Sequence, residues 1–199
     1  EAVKSYSPDK IVLLPLYPQY STATTLSSQA EWHRAASEIG LGVDTRMICC
    51  YPTMKGFVEA QAKMVREAQK KVNMLDEGRK SRVLFSAHGL PEKIIKSGDP
   101  YQWQVEQTAK AVASKAGLNE DNWLVCYQSR VGPLKWIGPE TKSEIERAGS
   151  EGISVIIVPI AFVSEHSETL VELDIEYREI AEETGVPIYK RVGTVRDNP

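Results

Sequence analysis

The chain has 199 residues, with 24 basic and 27 acidic side chains, a net charge of −3 and 42% hydrophobic residues. That length suits one domain or slightly more, and the composition is that of a folded chain rather than a disordered one. Charge is mixed throughout, which argues against a general nucleic-acid binder, and no apolar run approaches the ~20 residues of a membrane-spanning helix. The longest such run, Ile153–Val163, is interrupted by Ser154 and Pro159. The expectation is a soluble protein, or one peripheral to a membrane at most. The chain opens at Glu1 and its first methionine is Met47. Glu1–Lys10 is too polar for a signal peptide, so the expected start is either processed or internal to a longer protein. Cys49, Cys50 and Cys126 form no CxxC, and two adjacent cysteines could close only a strained bridge. They read as small buried hydrophobes in the strands of a reduced, cytosolic chain.

Taken in order, Ile11–Leu16 reads as a strand, Thr24–Ile39 as a helix, and Asp44–Cys49 as a weaker strand. In Thr53–Leu75 the residues Phe57, Ala60, Met64, Ala68, Val72 and Leu75 recur every three to four positions, the period of a long amphipathic helix, with Gly78 as its stop. Arg82–Ser86 is a strand. Pro100–Ala116 is a helix with Val105, Ala109 and Val112 on one face and Gly117 as its C-cap. Trp123–Tyr127 is a strand, and Gly138–Ala148 a helix with Pro139 near its first turn. Ile153–Ile160 is a strand, Ser164–Glu183 a helix, and Val186–Arg191 a short last strand. The strands are continuous apolar runs rather than alternating ones. This predicts an α/β fold: a Rossmann-like three-layer domain with a mainly parallel sheet buried between helices. Neither GxGxxG nor GxxxxGK[ST] occurs, which removes the usual dinucleotide and P-loop readings.

Ligands of open α/β sheets bind beyond the carboxyl ends of the strands. There the chain places Tyr17–Thr22, Ala87–Pro91, Gln128–Trp136 and Phe162–Glu168, a concentration of aromatics, carboxylates and two histidines. His88 ends an apolar strand before Gly89 and Pro91; it can be a metal ligand, a general base or only a turn-capping side chain. Glu165, Glu168, Glu172 and Glu176, spaced three, four and four, are expected on one helix face with Ser164 as N-cap. Like charges at that spacing repel by roughly 0.2–0.5 kcal/mol per pair. The row is either a cation path or a solvated acidic face. His33, in a helix, reads as a surface or packing residue. Trp32, Trp103 and Trp123 read as core or half-buried packing, and Trp136, in a loop, as the wall of a pocket for a flat ligand.

YPQYSTATT (17–25), SAHGLPEKIIKSGDPY (86–101), QSRVGPLKWIGPET (128–141) and PIAFVSEHSETLVELDIEY (159–177) together resemble the ferrochelatase family, in its order and over most of the chain. The second motif is most similar to alphaproteobacterial members. The resemblance implies a class II chelatase-like fold and insertion of ferrous iron into protoporphyrin IX to form protohaem, the last step of haem biosynthesis. It implies that His88 and Glu168 are the catalytic and metal-binding pair. His166, Glu172 and Glu176 would belong to a metal or proton path, and Tyr17, Trp136 and Phe162 to the porphyrin pocket. Ferrous iron and protoporphyrin IX are then substrates, and no tightly bound cofactor is expected. Members with an animal-type [2Fe-2S] cluster carry a cysteine directly after YPQYS. Here that residue is Thr22, so no such cluster is expected. The family has two similar α/β domains. The chain is expected to be one domain, residues 1–199, resembling the second of these, with the N-terminal domain as its missing partner and Gly193–Pro199 as the crossing point. The other readings weighed are a cobalt or nickel tetrapyrrole chelatase and a non-catalytic metal- or tetrapyrrole-binding module.

Overall fold

The computed structural model describes residues 1–77 and 80–197. Helix α1 spans Ala2–Tyr6, strand β1 Ile11–Leu13, and a π-turn at Thr22–Leu26 runs into α2, Ser27–Glu38. Strand β2 is Thr45–Met47, α3 Lys55–Leu75, β3 Ser81–His88, α4 Glu92–Lys96 and α5 Tyr101–Ala116. Strand β4 is Trp123–Gln128, α6 Thr141–Ser150 and β5 Ser154–Pro159. A π-helix at Glu168–Glu176 continues into α7, Tyr177–Glu183, and β6 is Tyr189–Arg191.

The main sheet is parallel, in the order β4-β3-β5-β6. Its central strands carry apolar stretches, Val83–Phe85 in β3 and Val155–Val158 in β5, because both faces are covered. Val83, Phe85 and Ala87 of β3, with Ile156 and Val158 of β5, pack with Val65, Val72, Val105 and Val112 from α3 and α5. Leu84, Val155 and Ile157 pack on the opposite face with Ile145, Leu173 and Ala181. Alternate side chains of one strand thus feed two cores, the period-two geometry of an extended chain. The three-layer α/β reading holds for this part. Gly117 closes α5 at φ 75°, as its C-cap role requires.

Several expectations need correction. The first two strands do not join the main sheet; β1 and β2 pair only with each other, in parallel. Past β1 the apolar residues are exposed: Leu14 by 55% and Leu16 by 58%. The buried stripe of α3 runs through Phe57, Val58, Gln61, Ala62, Val65, Ala68 and Val72, so it is rotated from the expected face, and Leu75 is 73% exposed. Pro139 is not in a first turn: it follows a cis peptide from Gly138, and its carbonyl accepts from Tyr127 N at 2.9 Å alongside β4. Cys126 is a buried strand residue, whereas Cys49 is exposed and both Cys49 and Cys50 lie past the end of β2. Trp103 is 59% exposed. Gly78, and the last two residues of Gly193–Pro199, lie outside the described residues. No described helix is long and apolar enough to cross a membrane.

Candidate active site at the carboxyl rim of the sheet

His88 is the last residue of β3, placed by the parallel register that sets it opposite Gln128 of β4. Gly89 then turns the chain hard against β4. Its N–H donates to Gln128 O at 2.8 Å, and a Cβ on it would stand 2.9 Å from that carbonyl. Only glycine allows so close an approach. Across the rim, Glu168 opens the π-helix, and His88 Nδ1 meets its Oε2 at 2.8 Å. Glu168 N donates to His166 Nδ1 at 3.2 Å, and the His166 ring packs 4.6 Å from that of Phe162.

These partners assign the tautomers. A carboxylate accepts from His88 Nδ1–H, so Nε2 is its uncommitted nitrogen. His166 Nδ1 is an acceptor, so its proton sits on Nε2. The Glu168 hydrogen bond raises the His88 pKa above its ordinary 6.5, against the opposing effect of burial; the charges of Glu168 and Glu172 add to the rise. Burial opposes ionisation of Glu168, but the hydrogen bond and charge of His88, helped by His166 and Ser129, outweigh it and hold the carboxyl below its ordinary 4.5. The two shifts agree on one half-buried ion pair.

The pair stands on the wall of a cavity of about 850 Å³, within the ~300–1,000 Å³ range of small-molecule sites. Tyr17, Phe162 and His166 also line it, with Trp32 and Met47 contributed by the N-terminal segment. A buried clamp fixes the Tyr17 loop. Asp99 Oδ2 accepts from Ser21 Oγ at 3.0 Å and from Thr22 N and Oγ1, both at 2.7 Å, while its Oδ1 accepts from Tyr101 N at 2.9 Å. Gln19 Nε2 donates to Thr108 Oγ1 at 3.0 Å, and Gln104 Oε1 accepts from Tyr20 N at 2.7 Å. Asp99 is held below its ordinary 3.8 by these donors, despite burial.

The acidic row divides. Glu165 is not on the helix, which starts at Glu168 with Ser167, not Ser164, before it. Its carboxylate is nearly buried and accepts from Arg191 Nη1 at 3.0 Å and Thr194 N at 3.0 Å. Glu172 is held by Gln128 Nε2 at 3.0 Å, Ser129 N at 2.8 Å and Tyr177 Oη at 2.9 Å. Ser129 Oγ has one proton, directed at the nearer Glu172 Oε2 at 2.5 Å, and stands 3.3 Å from Glu168 Oε2, so it sits between the two acids. Glu176 is exposed, and among the described residues no hydrogen bond joins it to Glu172. Trp136 is not part of the cavity lining: its ring backs the turn, 3.3 Å from where a Gly89 Cβ would be, and its backbone bridges Pro91. Exposed His33 lies on α2 and is not among the residues lining the cavity, although its neighbour Trp32 is.

Three contributors were not singled out from the sequence. Tyr101 is 8% exposed and lines the cavity; extending the Val105, Ala109, Val112 period back by four residues reaches it. Ser129 takes φ +60°, rare for a residue with a side chain, and nothing in its neighbours signals that. Asp99 sits in a Gly-Asp-Pro turn whose distant partners no local pattern reveals. Among the described residues no group of three or more His, Cys, Asp or Glu forms a ready metal cage. Glu168 lies on the Nδ1 side of the ring, so His88 Nε2 and the Glu168 carboxylate would each meet an ion as a single ligand and leave the rest of its sphere open for exchange.

Fold and site together define an α/β protein with a ligand cavity at the carboxyl rim of a parallel sheet, walled by a histidine–carboxylate pair. The same backbone arrangement occurs in SirB from Bacillus subtilis, solved with Fe3+, at a TM-score of 0.58 and 17% identity, covering 100% of this chain and 69% of that one. Residues 1–199 match the family described as Ferrochelatase, and the chain belongs to that family. It is 56% identical over 197 residues to the ferrochelatase of Caulobacter vibrioides and 50% identical over 196 to that of Pelagibacter ubique, covering 99% and 98% of this chain. It spans 55% of the length of each of these relatives.

Proposed function

We propose that this chain is the metal-handling half of a ferrochelatase, the C-terminal one, which inserts ferrous iron into protoporphyrin IX to give protohaem. The observation that carries this reading is the His88–Glu168 pair at 2.8 Å on the wall of an 850 Å³ cavity. Metallation must strip water from the ion and remove two pyrrole protons. Neutral His88 can accept one pyrrole proton at Nε2 while its Nδ1–H stays directed at Glu168, whose charge favours the imidazolium that forms. Glu168 can instead take a place in the iron's coordination sphere, since carboxylate oxygens exchange readily with water. Ser129 Oγ and Glu172 continue the hydrogen-bonded line inward and give a departing proton a next acceptor. His166, with its proton on Nε2, is a donor on the same wall. Tyr17 and Phe162 are the aromatic porphyrin contacts, and Trp136 acts from behind by holding the His88 turn. Glu176 belongs to the solvent-side mouth of the acidic line.

The rest of the longer protein, an N-terminal domain, supplies the other part of the porphyrin wall. The chain itself acts as one α/β domain, because Asp99, Gln104 and Thr108 tie the Tyr17 loop to the main sheet's α5. No animal-type [2Fe-2S] cluster belongs to this reading, since Thr22 holds the place of its cysteine and uses both N–H and hydroxyl on Asp99. Separate titrations of ferrous iron and porphyrin with Glu168→Gln test the assignment. The expected result is a larger loss for iron than for porphyrin; equal losses would refute it.

A further inference from the structure

Successive side chains of an extended backbone point to opposite faces. Cys49 and Cys50 lie just past β2, outside the regular strand, and their Sγ atoms come within 3.2 Å of each other. Cys49 is exposed and Cys50 half-buried, so the pair is open to small solutes. Gln104 Nε2 lies 3.7 Å from Cys50 Sγ, and the same amide holds Tyr20 N, so the pair adjoins the clamped loop that carries Tyr17. The third thiol is different in kind. Burial raises the Cys50 thiol too, and Cys49 adds to it, but Cys126 is fully buried, out of reach of solutes and pushed up to about 12.

The ligand class follows from what the pair can and cannot do. A direct disulfide is disfavoured, because neighbouring Cα atoms stay ~3.8 Å apart while unstrained bridges need about 4.4–6.8 Å. A structural zinc needs about four protein ligands, and among the described residues no third His, Cys, Asp or Glu completes such a set. A centre satisfied by two thiolates with the sulfurs left non-bonded does fit. We propose that Cys49 and Cys50 form a vicinal dithiol site for thiophilic trivalent centres, with organic arsenoxides as the type ligand.

The step balances. The two thiols add across an arsenoxide, two As–S bonds form, the As–O bonds break, and the oxygen leaves as one water with both thiol protons. No oxidant or reductant takes part. The second As–S bond closes within one dipeptide, so the two thiols act as a chelate rather than as independent monothiols.

The test is titration of the whole gene product with phenylarsine oxide, read by intact mass and by mapping the modified peptide. The expected result is one phenylarsenic per chain on the peptide that contains Cys49 and Cys50, removed by a small dithiol but not by a matched monothiol. Cys49→Ser and Cys50→Ser are each expected to weaken binding by roughly 100-fold, the loss of chelation, and Cys126→Ser to leave it unchanged. Equal binding by either single variant, or an adduct mapped to Cys126, would overturn the proposal. Peptide mapping on the wild-type chain locates the adduct without relying on any substitution.

Discussion

Replacing both members of the His88–Glu168 pair, singly and together, measures the interaction on which the site is built. The side chains are 41% and 33% exposed, so their attraction is partly screened by water. A charge-assisted hydrogen bond at 2.8 Å in that setting is expected to couple them by about 1 kcal/mol, above a typical surface pair and well below a buried one. The pH dependence has a definite sign. His88 is raised above 6.5, so its contribution is complete below 6.5 and is lost as pH rises through the higher folded value. Glu168 is lowered below 4.5, so its contribution is complete above 4.5 and is lost as pH falls through the lower folded value. The plateau therefore lies between 4.5 and 6.5. Urea unfolding of wild type, His88→Gln, Glu168→Gln and the double variant at pH ~5.5 gives the coupling as a double-mutant cycle. Repeating the cycle at a pH high enough to take the proton from His88 is expected to return a smaller value. No coupling at the lower pH, or the same coupling at both, would refute the ion-pair account.

Three further outcomes follow from the same geometry. Gly89→Ala places a methyl 2.9 Å from the Gln128 carbonyl and 3.3 Å from the Trp136 ring, which should cost about 1–3 kcal/mol in thermal unfolding; an unchanged midpoint would contradict the tight turn. Asp99→Ala strips an ionised acceptor from Ser21, Thr22 and Tyr101. It should cost about 2–4 kcal/mol and speed hydrogen exchange at the Thr22 amide, while retained protection there would sink the clamp. Iron insertion should fall as acid protonates His88, with a midpoint above the ordinary 6.5 because Glu168 raises it. A midpoint below 6.5 would argue against His88 as the base.

The main sheet was legible because burial on both faces writes itself as a continuous apolar stretch: Val155–Val158 is buried at every position. The first two strands looked alike locally but pair apart, and no residue-level pattern in IVLL or DTRM tells which sheet a strand will join. The acidic helix shows the same limit. Periodicity placed Glu165 in line with Glu168 and Glu172, yet Arg191, 26 residues on, draws it away from the helix. The π-helical turns at Glu168–Glu176 have no propensity signature, and such turns recur where function fixes side chains at an unusual pitch. His88 and Glu168 were nameable from motif resemblance, but their contact spans 80 residues and is visible only in the fold. Trp136 misled because a loop aromatic between prolines and glycines suggests a pocket wall, whereas here the ring packs behind Gly89.

The central claim is that His88 takes part in metal insertion. The most direct measurement is the rate of ferrous-iron insertion into protoporphyrin IX by the whole gene product, wild type against His88→Ala, with porphyrin binding measured in parallel. The account predicts a loss of insertion of roughly 100-fold or more, the usual worth of a positioned general base, with porphyrin still bound. Undiminished insertion by His88→Ala would contradict it.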